Sequence, residues 1–482
     1  MKKYLFTLIP LLASFQLYAQ FKNAGFEQSM DTAKSLPQLW HIKKVAGYNF
    51  LLDDKEKHNG AYSLKIQNNS NPVNFSPFSQ FVAVSTNHIK KIIISAWIKS
   101  NNARNTPGLW CQVRDRTNKM IGFNSLQVSG VTDTGTHGWK KYNITLLIDT
   151  NAKGLVAGGF LMGEGTLWFD DMEITDAPTN IPPSKDVLNL VNEFTNIIKH
   201  NSIYRDSLKW TKMQPNIDIL EQGIENTNDA RPVLDYIITQ LRAVGDNHSF
   251  YQPKIMADNY AKGNIDPGRP SAKLLSNGIG YVSVPAFGSI NDTACLNFAT
   301  KIQELIRELD SANNVKGWIV DLRQNGGGNM YPMIAGLGPL IGNHPLGYFV
   351  NPANPKYSSD WTYRNGRCGA VKVKKPYIIK SPKAKVAVLV GPHTASSGEM
   401  TAISFIDNAN VKLFGQPTAG FTTANQSFRL SNGAFLYLAT SYTADKRFKI
   451  YKGKITPDVL VDKPTNGNTD ATIDTASTWI LE

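Results

Sequence analysis

Cysteine is scarce in this chain: among 482 residues there are three, Cys111, Cys295 and Cys368. They are far apart and show no ligand-type spacing, which speaks against a zinc site and against a disulfide framework. A chain of this length can bury enough apolar surface without staples. After the first twenty residues no stretch is apolar enough to cross a bilayer, so no membrane span is expected. Long basic runs are also missing. The formal charge is +13, but the lysines and arginines are scattered, with only short clusters such as Lys372-Val373-Lys374-Lys375. That pattern reads as solvated surface, and no nucleic-acid partner is expected. No set of Cys, His or carboxylates has metal-ligand spacing, and neither a P-loop ending nor a spaced-glycine dinucleotide fingerprint is present. A required metal or nucleotide cofactor is therefore not expected.

What is present begins with an address. Met1-Lys2-Lys3, an apolar stretch from Tyr4 to Leu17 and then Tyr18-Ala19-Gln20 have the charged, apolar and small-residue regions of a secretory signal peptide. Residues 1–19 are expected to be cleaved after Ala19, leaving a secreted or periplasmic protein. The remaining length suits two or three domains.

From 20 to 176 the chain consists of short alternating or apolar runs broken by turn residues, among them Ile92–Ile98, Tyr142–Ile148 and Leu167–Phe169, and predicts a β-sandwich. The proline-rich stretch Ala177-Pro178-Thr179-Asn180-Ile181-Pro182-Pro183 marks a linker over 177–184. Residues 185–250 follow, with apolar positions at helical spacing (Val187, Leu190, Val191, Phe194; Val233, Leu234, Ile237, Ile238, Leu241). The second of these helices runs into the polar turn Gly245-Asp246-Asn247-His248-Ser249, which can aim an imidazole. From 251 to 482 strands alternate with helices: Ile279–Val284, the amphipathic set Phe298, Ile302, Leu305, Ile306 and Leu309, then Gly317–Leu322. This is a βαβ unit and implies a mostly parallel, buried sheet. The whole is a multidomain chain, all-β and then α/β.

Two stretches in the α/β part carry chemistry. Gly326-Gly327-Gly328 ends a strand, where backbone N–H groups can face an anion or a developing oxyanion; a plain flexible turn would have the same composition. Gly391 to Met400 leads from the apolar run Val386–Val390 into a helix, the place for a nucleophile beside helix N-terminal N–H groups. The structural alternative is that Thr394, Ser396 or Ser397 simply caps the helix, with Glu399 as the capping-box partner.

Residues 20–176 resemble the galactose-binding-like jelly rolls that include many carbohydrate-binding modules, through Asn23-Ala24-Gly25-Phe26-Glu27, Gly60-Ala61-Tyr62-Ser63-Leu64-Lys65-Ile66 and Trp168-Phe169-Asp170-Asp171-Met172-Glu173-Ile174. The resemblance implies a glycan or cell-surface polymer as partner, with Trp40, Tyr48, Trp110 and Trp139 as candidate platforms unless they fill the sandwich. It also implies a structural calcium with Glu27 and Asp171 as candidate ligands.

Residues 185–465 resemble the C-terminal processing (tail-specific) serine peptidases. The motifs that carry it are Gly278-Ile279-Gly280-Tyr281-Val282, Asp321 to Gly328, Thr394 to Glu399, Gly415-Gln416-Pro417-Thr418-Ala419-Gly420 and Ile455-Thr456-Pro457-Asp458. The resemblance implies Ser396 as nucleophile and Ser397 with Gly326 or Gly327 as oxyanion donors. The lysine that many members place after the Gly-x-Pro-Thr-x-Gly motif is Phe421 here. The turn at Asp246–Ser249 resembles that of the tricorn-like branch and implies His248 as general base, with His393 the weaker alternative. Glu399, Asn425 and Asp458 are candidate supports for the imidazole. The 28 residues 250–277 are too few for the usual PDZ module. The expected activity is a serine endopeptidase acting through an acyl-enzyme on peptides or unstructured proteins. The competing expectation is a non-catalytic peptide-, lipid- or glycan-binding protein, because the same fold also serves retinoid binding.

Overall fold

The computed structural model describes residues 20–30, 36–69, 75–262, 268–353, 359–462 and 470–482. The expected signal peptide, 1–19, lies outside the described residues. Backbone contacts divide the chain into two compact units, residues up to Leu188 with Lys212–Tyr236, and Asn189–Thr211 with Ile237–Glu482.

In the first unit the strands are His41–Ile42 (β1), Tyr48–Asp53 (β2), Ser63–Asn68 (β3), Phe75–Ala83 (β4), Lys90–Ala103 (β5), Gly108–Asp115 (β6), Met120–Ser125 (β7), Gly135–Ile148 (β8), Ala152–Met162 (β9) and Gly165–Asp176 (β10). They form two antiparallel sheets, β1-β4-β9-β6-β7 and β2-β3-β10-β5-β8. The alternation read in the sequence is the cause: Ile92, Ile94, Ala96 and Ile98 on β5 point into one shared core with Leu109, Leu155 and Phe169. Trp40 and Tyr48 are buried in that sandwich, whereas Trp110 and Trp139 stay half-buried.

The units do not part at the proline-rich linker. Gly223 N–H bonds the Ile181 carbonyl at 2.6 Å and Ser184 N–H the Ile224 carbonyl at 3.0 Å, while the buried Lys91 ammonium donates to the Gln222 carbonyl. These bonds tie the end of the helix Trp210–Glu221 (α2) to the residues around the linker. The segment 185–250, expected to belong wholly with the core, is shared: Lys185–Asn201 (α1) and Arg231–Ala243 (α3) each contribute to both units. Burial pushes the Lys91 ammonium down to about 8.

The second unit holds a sheet in the order Ser271–Leu274 (β12), Gly280–Ser283 (β13), Trp318–Asp321 (β14), Val386–Val390 (β19), Val411–Gly415 (β20) and Val459–Leu460 (β24), parallel except at the β12 edge. Every residue of β14 and β19 is buried. Apart from Asp321 at the end of β14, their text is apolar and falls into two interleaved sets. Val386, Val388 and Val390 face Asp292–Ala312 (α5), Met330–Ile341 (α6) and Ser397–Ile403 (α7), whereas Ala387 and Leu389 face Ala471–Leu481 (α8). A sheet covered on both faces can afford no polar alternation. Each buried branched side chain contributes about 1.5–3 kcal/mol.

A second, mainly antiparallel sheet runs Phe250–Gln252 (β11), Phe435–Asp445 (β22), His344–Val350 (β15), Ser359–Arg364 (β16), Arg367–Cys368 (β17) and Val371–Lys372 (β18). Thr423–Arg429 (β21) and Ile450–Tyr451 (β23) both pair with β22. Between His248 and β12 the described residues form only β11 and Lys254–Lys262 (α4). Among the described residues no helix is long and apolar enough to cross a membrane.

Candidate active site

The turn between β19 and α7 is fastened before it presents anything. Thr394, fully buried, accepts from Gly391 N–H at 3.0 Å and donates to the Leu322 carbonyl at 2.8 Å. Ala395 N–H then reaches the Asn325 carbonyl at 3.0 Å. The next residue, Ser396, has φ 53° and ψ −121°, a conformation costly for a residue with a Cβ, by about 1–3 kcal/mol. It is the sharp strand-to-helix turn that thrusts a hydroxyl out of a sheet.

Glu399 supplies the restraint. Its carboxylate, with no exposed surface, accepts from Ser396 N–H at 2.9 Å, Thr418 Oγ1 at 2.5 Å, Gly420 N–H at 2.9 Å and Phe421 N–H at 2.8 Å. Burial pushes its carboxyl up, against the pull of those four donors. Glu399 therefore does reach back to Ser396 as a capping-box residue would, and also gathers the loop after β20.

His248 arrives from the turn beyond α3. Asp246 Oδ1 accepts from His248 N–H at 3.1 Å and Ser249 N–H at 2.9 Å, and Ser249 Oγ donates to Asp246 Oδ2 at 2.5 Å. Asn425 Nδ2 donates to the His248 carbonyl at 2.8 Å. The ring lies between two partners. Nε2 is 2.9 Å from Ser396 Oγ, and Nδ1 is 2.9 Å from the Thr423 carbonyl and 3.0 Å from Thr423 Oγ1. A carbonyl only accepts, so Nδ1 carries the proton and Nε2 offers its lone pair to the serine hydroxyl. Phe421 stacks parallel to the imidazole at 5.6 Å between centroids. Burial holds the imidazole below its usual range, opposed by the Thr423 bond and the Asp246 charge.

The support expected from Glu399, Asn425 or Asp458 is not found at Nδ1. Glu399 is committed to the serine turn, Asp458 Oδ2 accepts from Leu413 N–H at 2.8 Å, and Asn425 holds the backbone of His248 and not its ring. Thr423 takes that place. Its sequence signal is faint: the alternation along β21 puts Thr423 and Asn425 on one side and gives no reason to choose a threonine over an acid. His393, exposed on the turn, makes no bond to Ser396.

The glycine loop meets the turn directly. Ser397 Oγ donates to the Gly328 carbonyl at 2.6 Å. Gly327, at φ +105°, lies so close that a Cβ there would stand 2.9 Å from the Ala395 carbonyl oxygen and 3.1 Å from Ser397 N. The donor role expected of Gly327 does not stand, because its N–H is committed to Asn325 Oδ1 at 3.0 Å. The N–H groups of Gly326 and Ser397 have no partner among the described residues. Gly327→Ala is expected to misplace Ser397 N–H and lower kcat by about 10²-fold or more, the scale of losing one oxyanion donor; a variant with unchanged single-turnover rates would contradict this.

The candidate calcium ligands have other partners. Both Glu27 oxygens accept from Ala61 N–H at 3.0 Å, and Asp171 Oδ2 is 2.7 Å from His58 Nδ1. No group of three or more His, Cys, Asp or Glu side chains suited to a metal gathers among the described residues.

An α/β core that raises a strained serine beside an imidazole, at the carboxyl end of parallel strands, has the layout of a hydrolase. Comparison with known proteins gives the class. Peptidase family S41 matches residues 278–461. A nisin-resistance protein of Lactococcus lactis subsp. lactis is 30% identical over 264 residues, 53% of this chain and 78% of that protein. A chloroplastic carboxyl-terminal-processing peptidase 2 of Arabidopsis thaliana is 27% identical over 190 residues, 39% of this chain and 33% of that protein. Among solved structures, a lipoprotein from Streptococcus agalactiae shares the fold with a TM-score of 0.51 at 24% identity, over 62% of this chain and 97% of that one. The chain belongs to peptidase family S41 and is a peptidase by class.

Proposed function

We propose that the protein is a secreted or periplasmic serine endopeptidase working through an acyl-enzyme on peptides or unstructured proteins. The observation that carries this reading is the Ser396 Oγ to His248 Nε2 contact of 2.9 Å, with Nδ1 held on the Thr423 carbonyl. Nε2 takes the hydroxyl proton as Oγ attacks the scissile carbonyl, and the oxyanion that forms is received by the N–H groups of Ser397 and Gly326. The imidazolium then gives its proton to the leaving amine, and water, activated by the same imidazole, hydrolyses the ester. Every group these steps use is on this chain, so the reading calls for no cofactor. The test is a fluorophosphonate probe, expected to label Ser396 alone, with peptide hydrolysis lost in Ser396→Ala. An unlabelled, folded protein would favour a binding role. Nisin belongs among the substrates tried, since a 30% identical relative is named for resistance to it. The N-terminal sandwich is assigned a glycan or cell-surface polymer as partner, which a glycan panel with the full chain would test.

The base must be neutral to act, so burial of His248 places the acid limb of kcat/KM below the ordinary value of 6.5. The same shift works on folding. Below pH 6.5 the unfolded chain binds the proton more readily, so stability is present above that pH and declines beneath it. An acid limb at or above 6.5 would show that the Thr423 bond and the Asp246 charge outweigh burial at the imidazole.

A further inference from the structure

Between positions 446 and 454 five of nine residues are lysine or arginine and none is acidic, and the others include Phe448, Ile450 and Tyr451. Because the charges are interleaved with apolar residues, no unbroken basic run marks the segment. It forms the hairpin that joins β22 to β23. The turn is built on buried Asp445, whose Oδ1 accepts from Arg447 N–H at 2.9 Å and Lys449 N–H at 3.0 Å while Oδ2 accepts from the Tyr451 hydroxyl at 3.0 Å. The residue carried at the tip is Phe448, at φ +63° and 58% exposed. A bulky side chain is strained at positive φ, where glycine or asparagine sits more easily. The turn itself therefore gains nothing from a phenylalanine.

Strand pairing sets what surrounds that ring. Tyr348 on β15 stands opposite Ala444 on β22, and Ala444 opposite Ile450 on β23, so the three side chains share one face. The Phe448 ring stacks on Tyr348 with 4.0 Å between centroids and 12° between planes, and Ile450 stays 42% exposed. Phe448, Tyr348 and Ile450 thus make an apolar ridge. Lys449, Lys452 and Lys454 beside it are exposed and have no ion-pair partner among the described residues. Lys449 Nζ and Lys452 Nζ stand 5.5 and 5.2 Å from the Tyr451 and Tyr442 ring centroids. Of the nearby acids, Asp445 lies under the turn, Asp407 pairs with Arg447, and Asp360, opposite Tyr348 on β16, bounds the face. An exposed apolar ridge rimmed by charge marks an interaction site. A soluble polyanion would use the lysines and leave the ridge in water. An anionic lipid surface takes both, the apolar side chains entering the boundary of the acyl chains while the ammonium groups meet lipid phosphates.

We propose that the β22–β23 hairpin docks the protein on an anionic lipid surface, with Phe448 and Ile450 dipping between the headgroups and Lys449, Lys452 and Lys454 on the lipid phosphates. The proposal does not rest on the peptidase reading, so Ser396→Ala should bind as the native protein does. The test is sedimentation of the mature protein, without residues 1–19 whose apolar stretch would bind lipid by itself, with vesicles of phosphatidylcholine alone or with about 30 mol% phosphatidylglycerol. Binding is expected to the anionic vesicles only, and release in about 0.5 M salt. Phe448→Asn/Ile450→Ser should weaken it about thirtyfold; asparagine suits the positive φ, so the turn is kept. Each of Lys449→Ala, Lys452→Ala and Lys454→Ala should weaken it about fivefold, and these exposed positions carry the test should the apolar pair fail to fold. Equal binding to neutral vesicles, or binding that survives either the apolar pair or the triple alanine variant, would overturn the proposal. Capture by soluble dextran sulfate with no binding to vesicles would also overturn it and give the hairpin to a soluble polyanion.

Discussion

Ser396→Ala is expected to lower kcat for peptide hydrolysis by about 10⁴- to 10⁶-fold, and His248→Ala by nearly as much. The two act as one unit. Without the hydroxyl the imidazole has nothing to deprotonate, and without Nε2 at 2.9 Å the hydroxyl remains a poor nucleophile. The double variant should therefore be hardly slower than either single one, with residual catalysis left to the Ser397 and Gly326 N–H groups. Single-turnover rates on a fluorogenic peptide, with circular dichroism to check folding, decide the matter. Losses that multiply, or a silent His248→Ala, would break the assignment.

Glu399→Ala should be the most destabilising substitution at the site, by about 3–5 kcal/mol. It orphans three N–H groups and the Thr418 hydroxyl in the interior, and each buried unmet partner costs about 1–3 kcal/mol before relaxation. Activity should fall with stability, because the positive-φ conformation of Ser396 loses the acceptor that fixes its N–H. Glu399→Gln, which keeps the shape but replaces one acceptor oxygen by a donor, should lie between. Urea midpoints and the rate of fluorophosphonate labelling measure the two effects separately. An unchanged midpoint in Glu399→Ala would show that the turn is held by Thr394 and the glycine loop alone.

The fold was legible where burial dictates the text. The apolar runs of β14 and β19 announce a sheet covered on both faces, and the alternation on β5 announces a sandwich. The strand-to-helix setting left Thr394, Ser396 and Ser397 open, and the turn after α3 only made His248 possible; the family resemblance singled out Ser396 and His248. Thr423 could not be reached by either route, because its decisive group is a backbone carbonyl, which every residue has. Gly326 and Gly327 were interchangeable in sequence; what separates them is the Asn325 side chain taking one N–H. The division between units was hidden for a similar reason, since the bonds from Gly223 and Ser184 across the linker are main-chain bonds with no residue preference.

The bond from His248 to Thr423 joins positions 175 residues apart, and the one from His248 to Ser396 joins positions 148 apart. Contacts so distant in sequence are made late, after the entropy of closing the intervening chain has been met. A polypeptide emerging from its N-terminus exposes His248 long before Ser396, and Ser396 before the strand that locks the imidazole tautomer. Hydrolytic competence thus arrives only with a nearly finished core. On the proposed reading, a chain still being made therefore holds no assembled serine–imidazole pair of its own.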